Sequence, residues 1–332
     1  MSTQQTTNSG SKKSKSGAKK RPKSSKKARS LYQRWLRLPL GRRVETAAAC
    51  FVALILVIAL VITALGFLGY GIKVNNMRNH QEESHELYGF NPGQIISDER
   101  FFDTTSMNGD DVQAFLNQKG AECTAQSSKD SEPCLKNFRV DTPSKPADDL
   151  CDEYQGGKNQ SAATIIDGAA RSCGVSQKVL LTMLQKEQHL VSATAPSKIQ
   201  YKAAMGLSCP DDDSCDPKFA GFFNQVYGAA QRYRYYQKHI DDYQFKPGRI
   251  NSVRYSPDPS CGASDVYIEN TATALLYIYT PYQPNEAALK AGAGEGDSCS
   301  AYGNRNFSLM YNGWFNPPKP EPATPSVKKR TI

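Results

Sequence analysis

Residues Ala47–Leu68 form a run of 22 uncharged positions, aliphatic and aromatic throughout except for Cys50, Thr63 and Gly66. A bilayer core of ~30 Å takes about 20 helical residues to cross, whereas the apolar cores of signal peptides usually run only ~7–15. The stretch therefore reads as an uncleaved signal anchor, with cleavage behind it as the alternative. Its flanks set the orientation. Arg34, Arg37, Arg42 and Arg43 precede it, with eight lysines further upstream, whereas Lys73 and Arg78 are followed by Glu82, Glu83 and Glu86. An excess of positive charge marks the cytoplasmic side. The expected protein is a single-pass protein of the cell membrane, N-terminus cytoplasmic, C-terminal domain extracellular.

The net charge of +9 does not contradict this. Residues 1–43 hold 14 Lys/Arg and no Asp or Glu, and the remainder carries a net −5. A basic arm on a mildly acidic body is not a nucleic-acid-binding domain, so no specific nucleic acid is expected as a partner. The arm reads as a topology determinant and solubilising tail, or, over Lys12 to Arg29, as a patch for nucleic acid or for anionic lipid, where each basic residue contributes ~1 kcal/mol. Cysteine usage fits the topology. Cys50 falls within the span, and Cys123, Cys134, Cys151, Cys173, Cys209, Cys215, Cys261 and Cys299 fall on the exported side. An even number in an oxidising compartment reads as four disulfides, whose connectivity composition cannot fix. Sequential pairing is the working assumption, since it closes short loops. No CxxC or HExxH occurs, so neither a metal nor a cofactor is expected.

The chain divides on composition into a disordered basic cytoplasmic tail (1–45), the transmembrane signal anchor (46–72) and a polar spacer (73–90). A disulfide-containing subregion (91–160), a helical domain (161–315) and a Pro/Lys-rich tail (316–332) follow. Asn108, Ser161, Ser176 and Asn270 stand where helix caps would, predicting helices near 108–118, 162–172, 177–190 and 271–279. Phe219, Phe222, Phe223, Val226, Tyr227, Ala230 and Tyr233 recur at helical spacing and predict a long helix over 219–240. Extended pieces are expected at 252–255 and 266–269. The fold class is mainly α, with a small β element.

Glu187 is the residue that does not fit a plain structural helix. It lies seven after Leu180, four after Met183 and three after Leu184, on the apolar stripe, while Lys178 and Lys186 fall on other faces. A carboxyl turned toward a core or cleft is suited to general acid–base work near neutrality. The alternative is a frayed last turn that reaches solvent. His189 falls on another face, and the even exported cysteine count argues against a Cys–His peptidase.

The helix Val179–Gln188, ending in Lys186-Glu187-Gln188 and followed by Ala204-Met205-Gly206-Leu207-Ser208, resembles the lysozyme-like superfamily, specifically the soluble lytic transglycosylases and goose-type lysozymes. The resemblance spans roughly 161–315. It departs from the usual pattern at Gln188, where Ser is usual, and after Leu207, where Ser-Cys replaces Met-Gln. It implies an α+β lysozyme-like extracellular domain, Glu187 as the single catalytic acid/base, and a Gly-Leu strand near Met205, Gly206 and Leu207 against the substrate. It also suggests Tyr201, Tyr277 and Tyr311 as sugar-binding aromatics. The implied reaction is cleavage of MurNAc-GlcNAc β-1,4 bonds with closure of a 1,6-anhydro ring. Ordinary hydrolysis would need a second carboxylate ~5–9.5 Å away, for which Asp211, Asp212, Asp213 and Asp216 are candidates. The implied partners are peptidoglycan glycan strands, membrane lipid through the one helix, and other envelope-synthesis proteins. A non-catalytic lysozyme-like scaffold is the competing reading. A second resemblance, on Gly221–Tyr227, Thr280–Asn285 and Tyr302–Phe307 among other pieces, is to exported actinobacterial envelope proteins often labelled haemagglutinin; it implies a Gram-positive envelope, and no reaction.

Overall fold

A computed structural model describes residues 32–128, 131–209 and 215–316. Most of the expected basic tail and nearly all of the C-terminal tail lie outside the described residues. The chain divides into two units, one ending at Gly71 and one beginning at Ile72.

In the first unit the dominant element is the N-terminal part of α1 (Leu40–Tyr88), a helix long and apolar enough to cross a membrane. Phe51, Leu60, Ile62 and Phe67 are each more than 60% exposed, so protein does not cover the apolar run. Free water is a poor solvent for so large a continuous apolar surface.

In the second unit, residues 73–90 are not the loose spacer that their polarity suggested. They stay helical to Tyr88 and are held to a hairpin formed by β3 (Arg249–Arg254) and β4 (Ala263–Ile268). Lys73 pairs with Asp265 at 2.9 Å, and Arg78 grips both oxygens of Glu269 at 2.7 and 2.5 Å. Gln81 is 4% exposed; its amide accepts from the Tyr267 N–H and donates to the Tyr267 carbonyl, as a neighbouring strand would. Only glycine fits at Gly93, where a Cβ would overlap Gln81 and that same carbonyl.

The helices follow from their caps. Asn108 forms a reciprocal capping box with Asp111 at the start of α3 (Gly109–Lys119), after the single turn α2 (Asp98–Phe101). Ser161 caps α4 (Ala162–Cys173) through the Thr164 N–H, and Asn270 caps α8 (Thr271–Tyr279) through the Thr273 N–H. Ser176 precedes α5 (Gln177–Gln188) without a side-chain cap, its hydroxyl instead meeting Ser106. The short α6 (Lys198–Lys202) and the long α7 (Phe222–Lys238) follow, then α9 (Glu286–Lys290) and α10 (Gly303–Phe315). A second antiparallel pair, β1 (Arg139–Thr142) with β2 (Gly157–Ser161), lies in the disulfide-containing subregion.

One core runs through residues 90–311. Phe90, Ile96, Phe101, Val112 and Leu116 belong to the same buried cluster as Ile165, Leu180, Val226 and Leu275. Residues 91–160 and 161–315 thus share their interior. α4 is the central helix, packed on α3, α5 and α7, and α10 lies along α5. Four disulfides join Cys123–Cys134, Cys151–Cys173, Cys209–Cys215 and Cys261–Cys299. The Cys151–Cys173 bond ties the loop before β2 to the last turn of α4 across 22 positions. Replacing both partners with alanine is expected to cost about 3 kcal/mol of stability, the loop-closure entropy of that length. Urea unfolding measures it, and an unmoved midpoint would contradict it.

Candidate functional site

The apolar stripe of α5 begins with Leu180, Met183 and Leu184, all at 0% exposure, and continues to Glu187, whose side chain is 22% exposed. Glu187 is therefore neither in the core nor in free solvent. The helix does not fray there. His189 adopts φ +52° and its N–H closes onto the Gln185 carbonyl, with the Leu190 N–H returning to Leu184. This left-handed stop fixes the last turn and the direction of the carboxylate.

One oxygen of Glu187 lies 2.6 Å from the Lys186 ammonium. Contrary to its helix position, Lys186 does not point away. Its side chain is only 7% exposed, donates to Thr280 Oγ1 at 3.1 Å and lies 6.0 Å over the Tyr279 ring. Gly303, at the start of α10, leaves room beside this ammonium.

The other oxygen faces bare backbone. Residues 203–208 form turns rather than the strand that the lysozyme-like resemblance implies, with Gly206 at φ +67° and Ser208 at φ +51°. A Cβ on Gly206 would stand 3.1 Å from Glu187 Oε2 and 3.4 Å from its Cδ. Gly206→Ala should therefore destabilise the fold by about 1–2 kcal/mol through the left-handed backbone alone, and displace the carboxylate besides. Thermal unfolding reads the first effect; no loss of stability would contradict the assigned backbone geometry.

Gln225 of α7 sets this turn. Fully buried, its Oε1 accepts from the backbone N–H groups of Met205 and Leu207, both at 3.0 Å. Its Nε2 donates to the carbonyls of Leu207 and Phe219, both at 2.8 Å. The turn also meets Tyr279, whose hydroxyl donates to the Met205 carbonyl at 2.5 Å. Tyr233 stacks on Tyr279 at 5.1 Å, and its hydroxyl is buried without a hydrogen-bond partner. Burial first, and the nearby Glu187 charge besides, push both phenols well above their ordinary range.

The structure thus brings Gly206 to Glu187, ties Met205 and Leu207 on either side of it to Gln225, and keeps the three other tyrosines in packing positions. Tyr201, 4% exposed, stacks on Phe138 and donates to the Pro133 carbonyl. Tyr277 is fully buried and donates to the Pro92 carbonyl, while Tyr311, 5% exposed, stacks on Phe307. Burial raises all three hydroxyls. None offers an open ring face. Of the acidic loop, Asp211, Asp212 and Asp213 lie outside the described residues, and Asp216 accepts from the Lys218 N–H. Among the described residues no cluster of three or more His, Cys, Asp or Glu could hold a metal.

Lys186, Gln225, Tyr233, Tyr279 and Thr280 are the site residues that the sequence reading did not assign. The signal for Gln225 was a polar residue inside the apolar pattern of a long helix. No comparable signal marks Thr280.

Residues 94–325 match the family described as the LasA N-terminal domain. That match covers more than half of the chain, so the chain belongs to this family. It is a match neither to the lysozyme-like superfamily nor to the haemagglutinin-labelled group. No curated protein and no solved structure matches the chain.

Proposed function

We propose that this member of the LasA N-terminal domain family is a membrane-anchored peptidoglycan glycosidase of lytic transglycosylase type, held by its apolar helix with the disulfide-bearing part outside the cell. The observation that carries the reading is the setting of Glu187. A carboxyl group at a fixed helix end has one oxygen anchored by Lys186 and the other against the bare backbone of Gly206. A fixed side chain with one free oxygen is what single-residue acid–base chemistry requires, because the same group must meet two successive oxygens of the substrate.

Entering as the acid, Glu187 would give its proton to the glycosidic oxygen as the bond from muramic C1 to that oxygen breaks. The resulting carboxylate would take the proton of the muramic 6-hydroxyl as O6 bonds to C1. The proton inventory then closes, and neither water nor a second carboxylate is consumed. Gln225 and Tyr279 contribute by holding the 205–207 turn, which keeps the side-chain-free backbone of Gly206 against Oε2.

A second reading is favoured by the 2.6 Å Lys186–Glu187 contact itself. A carboxylate committed to an ion pair suits a glycan-binding scaffold of the lysozyme-like type, whose groove holds a strand without cutting it. Incubating the full chain, in detergent micelles, with insoluble Gram-positive peptidoglycan separates the two. Soluble muropeptides released over time support the glycosidase. Co-sedimentation with the wall and no release overturns it in favour of the scaffold.

A further inference from the structure

The outer side of α7 carries a second feature that Glu187 chemistry does not use. Two adjoining cavities, of about 280 and 370 Å³, share Lys218, Phe219, Gly228 and Gln231. Phe219 is the aromatic ring common to both. Its ring lies beside α7 at position 228, where a Cβ would stand at an ordinary contact distance of 3.4 Å from the ring and only 2.8 Å from Leu207 Cδ2. Its carbonyl accepts from Gln225 Nε2, which holds the backbone that carries the ring. Lys218 and Arg232 lie 5.3 and 5.8 Å over that ring, and Lys145 lines the first cavity. Among the described residues none of these three cations is in an ion pair.

Among the described residues the one carboxylate lining the groove, Asp148, is already engaged. It accepts from the Leu150 and Cys151 N–H groups and from Gln231 Nε2. Gln231 and Asn224, the latter donating to the Ala220 carbonyl, each use one amide N–H within the protein and keep an oxygen for a ligand. The lining therefore combines an aromatic face, acceptors for hydroxyl or amide hydrogens, and an excess of positive charge. An apolar ring face, several hydroxyls and a carboxylate on one ligand describe an acidic saccharide. Neutral sugars leave the cations without a counter-charge, and acidic peptides leave the acceptors and the ring wall without hydroxyls and sugar faces.

We propose that this groove is a carbohydrate-binding site for acidic glycans, separate from Glu187 and independent of whether Glu187 is catalytic. The test titrates the full chain in detergent micelles with tetragalacturonate, its neutral methyl ester and tetraglutamate, by calorimetry. The free acid is expected to bind, with the ester and the peptide each at least about ten-fold weaker, a difference of about 1.4 kcal/mol. Phe219→Ala and the paired exchange Lys218→Gln with Arg232→Gln should each weaken the acid by a similar factor, and Glu187→Gln should not. The two charge exchanges are at exposed or half-buried positions, so they keep the test open should Phe219→Ala fail to fold. Binding of the ester as tight as the acid, of the peptide as tight as the saccharide, no binding of the acid, or indifference to the groove substitutions would each overturn the proposal.

Discussion

Gln225→Leu is expected to lower stability by about 3–4 kcal/mol, near the upper end for a single substitution. Leucine approximates the volume but offers neither acceptor nor donor. Two backbone N–H groups, of Met205 and Leu207, and two carbonyls, of Leu207 and Phe219, would lose their partner in a buried setting. Each orphaned group costs about 1–3 kcal/mol, partly recovered where the turn can move toward water. Gln225→Glu keeps the acceptor for both N–H groups and loses the donor for the carbonyls, so it should fall between. Urea unfolding of the three proteins orders them. Equal midpoints would mean that the turn is held by something other than this amide, and would remove the argument for a fixed surface beside Glu187.

The second large effect is on turnover. Glu187→Gln is expected to slow muropeptide release by about 10³-fold, within the range that a positioned acid–base group contributes. The amide is isosteric, so the fold and co-sedimentation with the wall should stay as they are. Lys186 also keeps a hydrogen-bond acceptor, though it loses a charge. A drop in release together with lost binding would instead mark Glu187 as a binding residue. Release unaffected by the exchange would place the chemistry elsewhere.

How much of this was legible beforehand depends on the range of the forces involved. The helix starts at Asn108, Ser161 and Asn270 are local events, a side-chain oxygen meeting an N–H two or three residues on, and the sequence shows them directly. The stripe of α7 was equally plain, except that its start moved to Phe222 because Gly221, at φ +97°, cannot continue a helix backwards. By contrast α10 was missed. Its Gly303, Asn304, Asn306 and Gly313 are poor helix formers, and the helix is stabilised by Phe307 and Tyr311 packing into the shared core. The polar residues 73–88 read as a spacer because their partners, Asp265, Tyr267 and Glu269, come nearly 200 positions later.

The candidate site divides the same way. Glu187 was visible because a helix stripe is periodic. Lys186 was assigned to another face because adjacent residues diverge by about 100° on a helix, which ignores how far a lysine reaches. Thr280 and Tyr279 capture its ammonium from 94 and 93 positions further on. The Gly-Leu segment was expected as a strand and is a turn, with Gly206 beside Glu187. The positive φ values at Gly206 and Ser208 exclude that, and a tertiary clamp from Gln225 is what maintains the turn.

The most direct test of the central claim, that Glu187 cuts glycan strands without water, is the chemistry of the new chain ends. Purified Gram-positive peptidoglycan would be incubated with the full chain in water enriched in heavy oxygen, and the fragments weighed. The account predicts anhydro-muropeptides, one water lighter than hydrolysis products, free of the label and absent with Glu187→Gln. Labelled reducing ends, or intact strands after prolonged incubation, would contradict it.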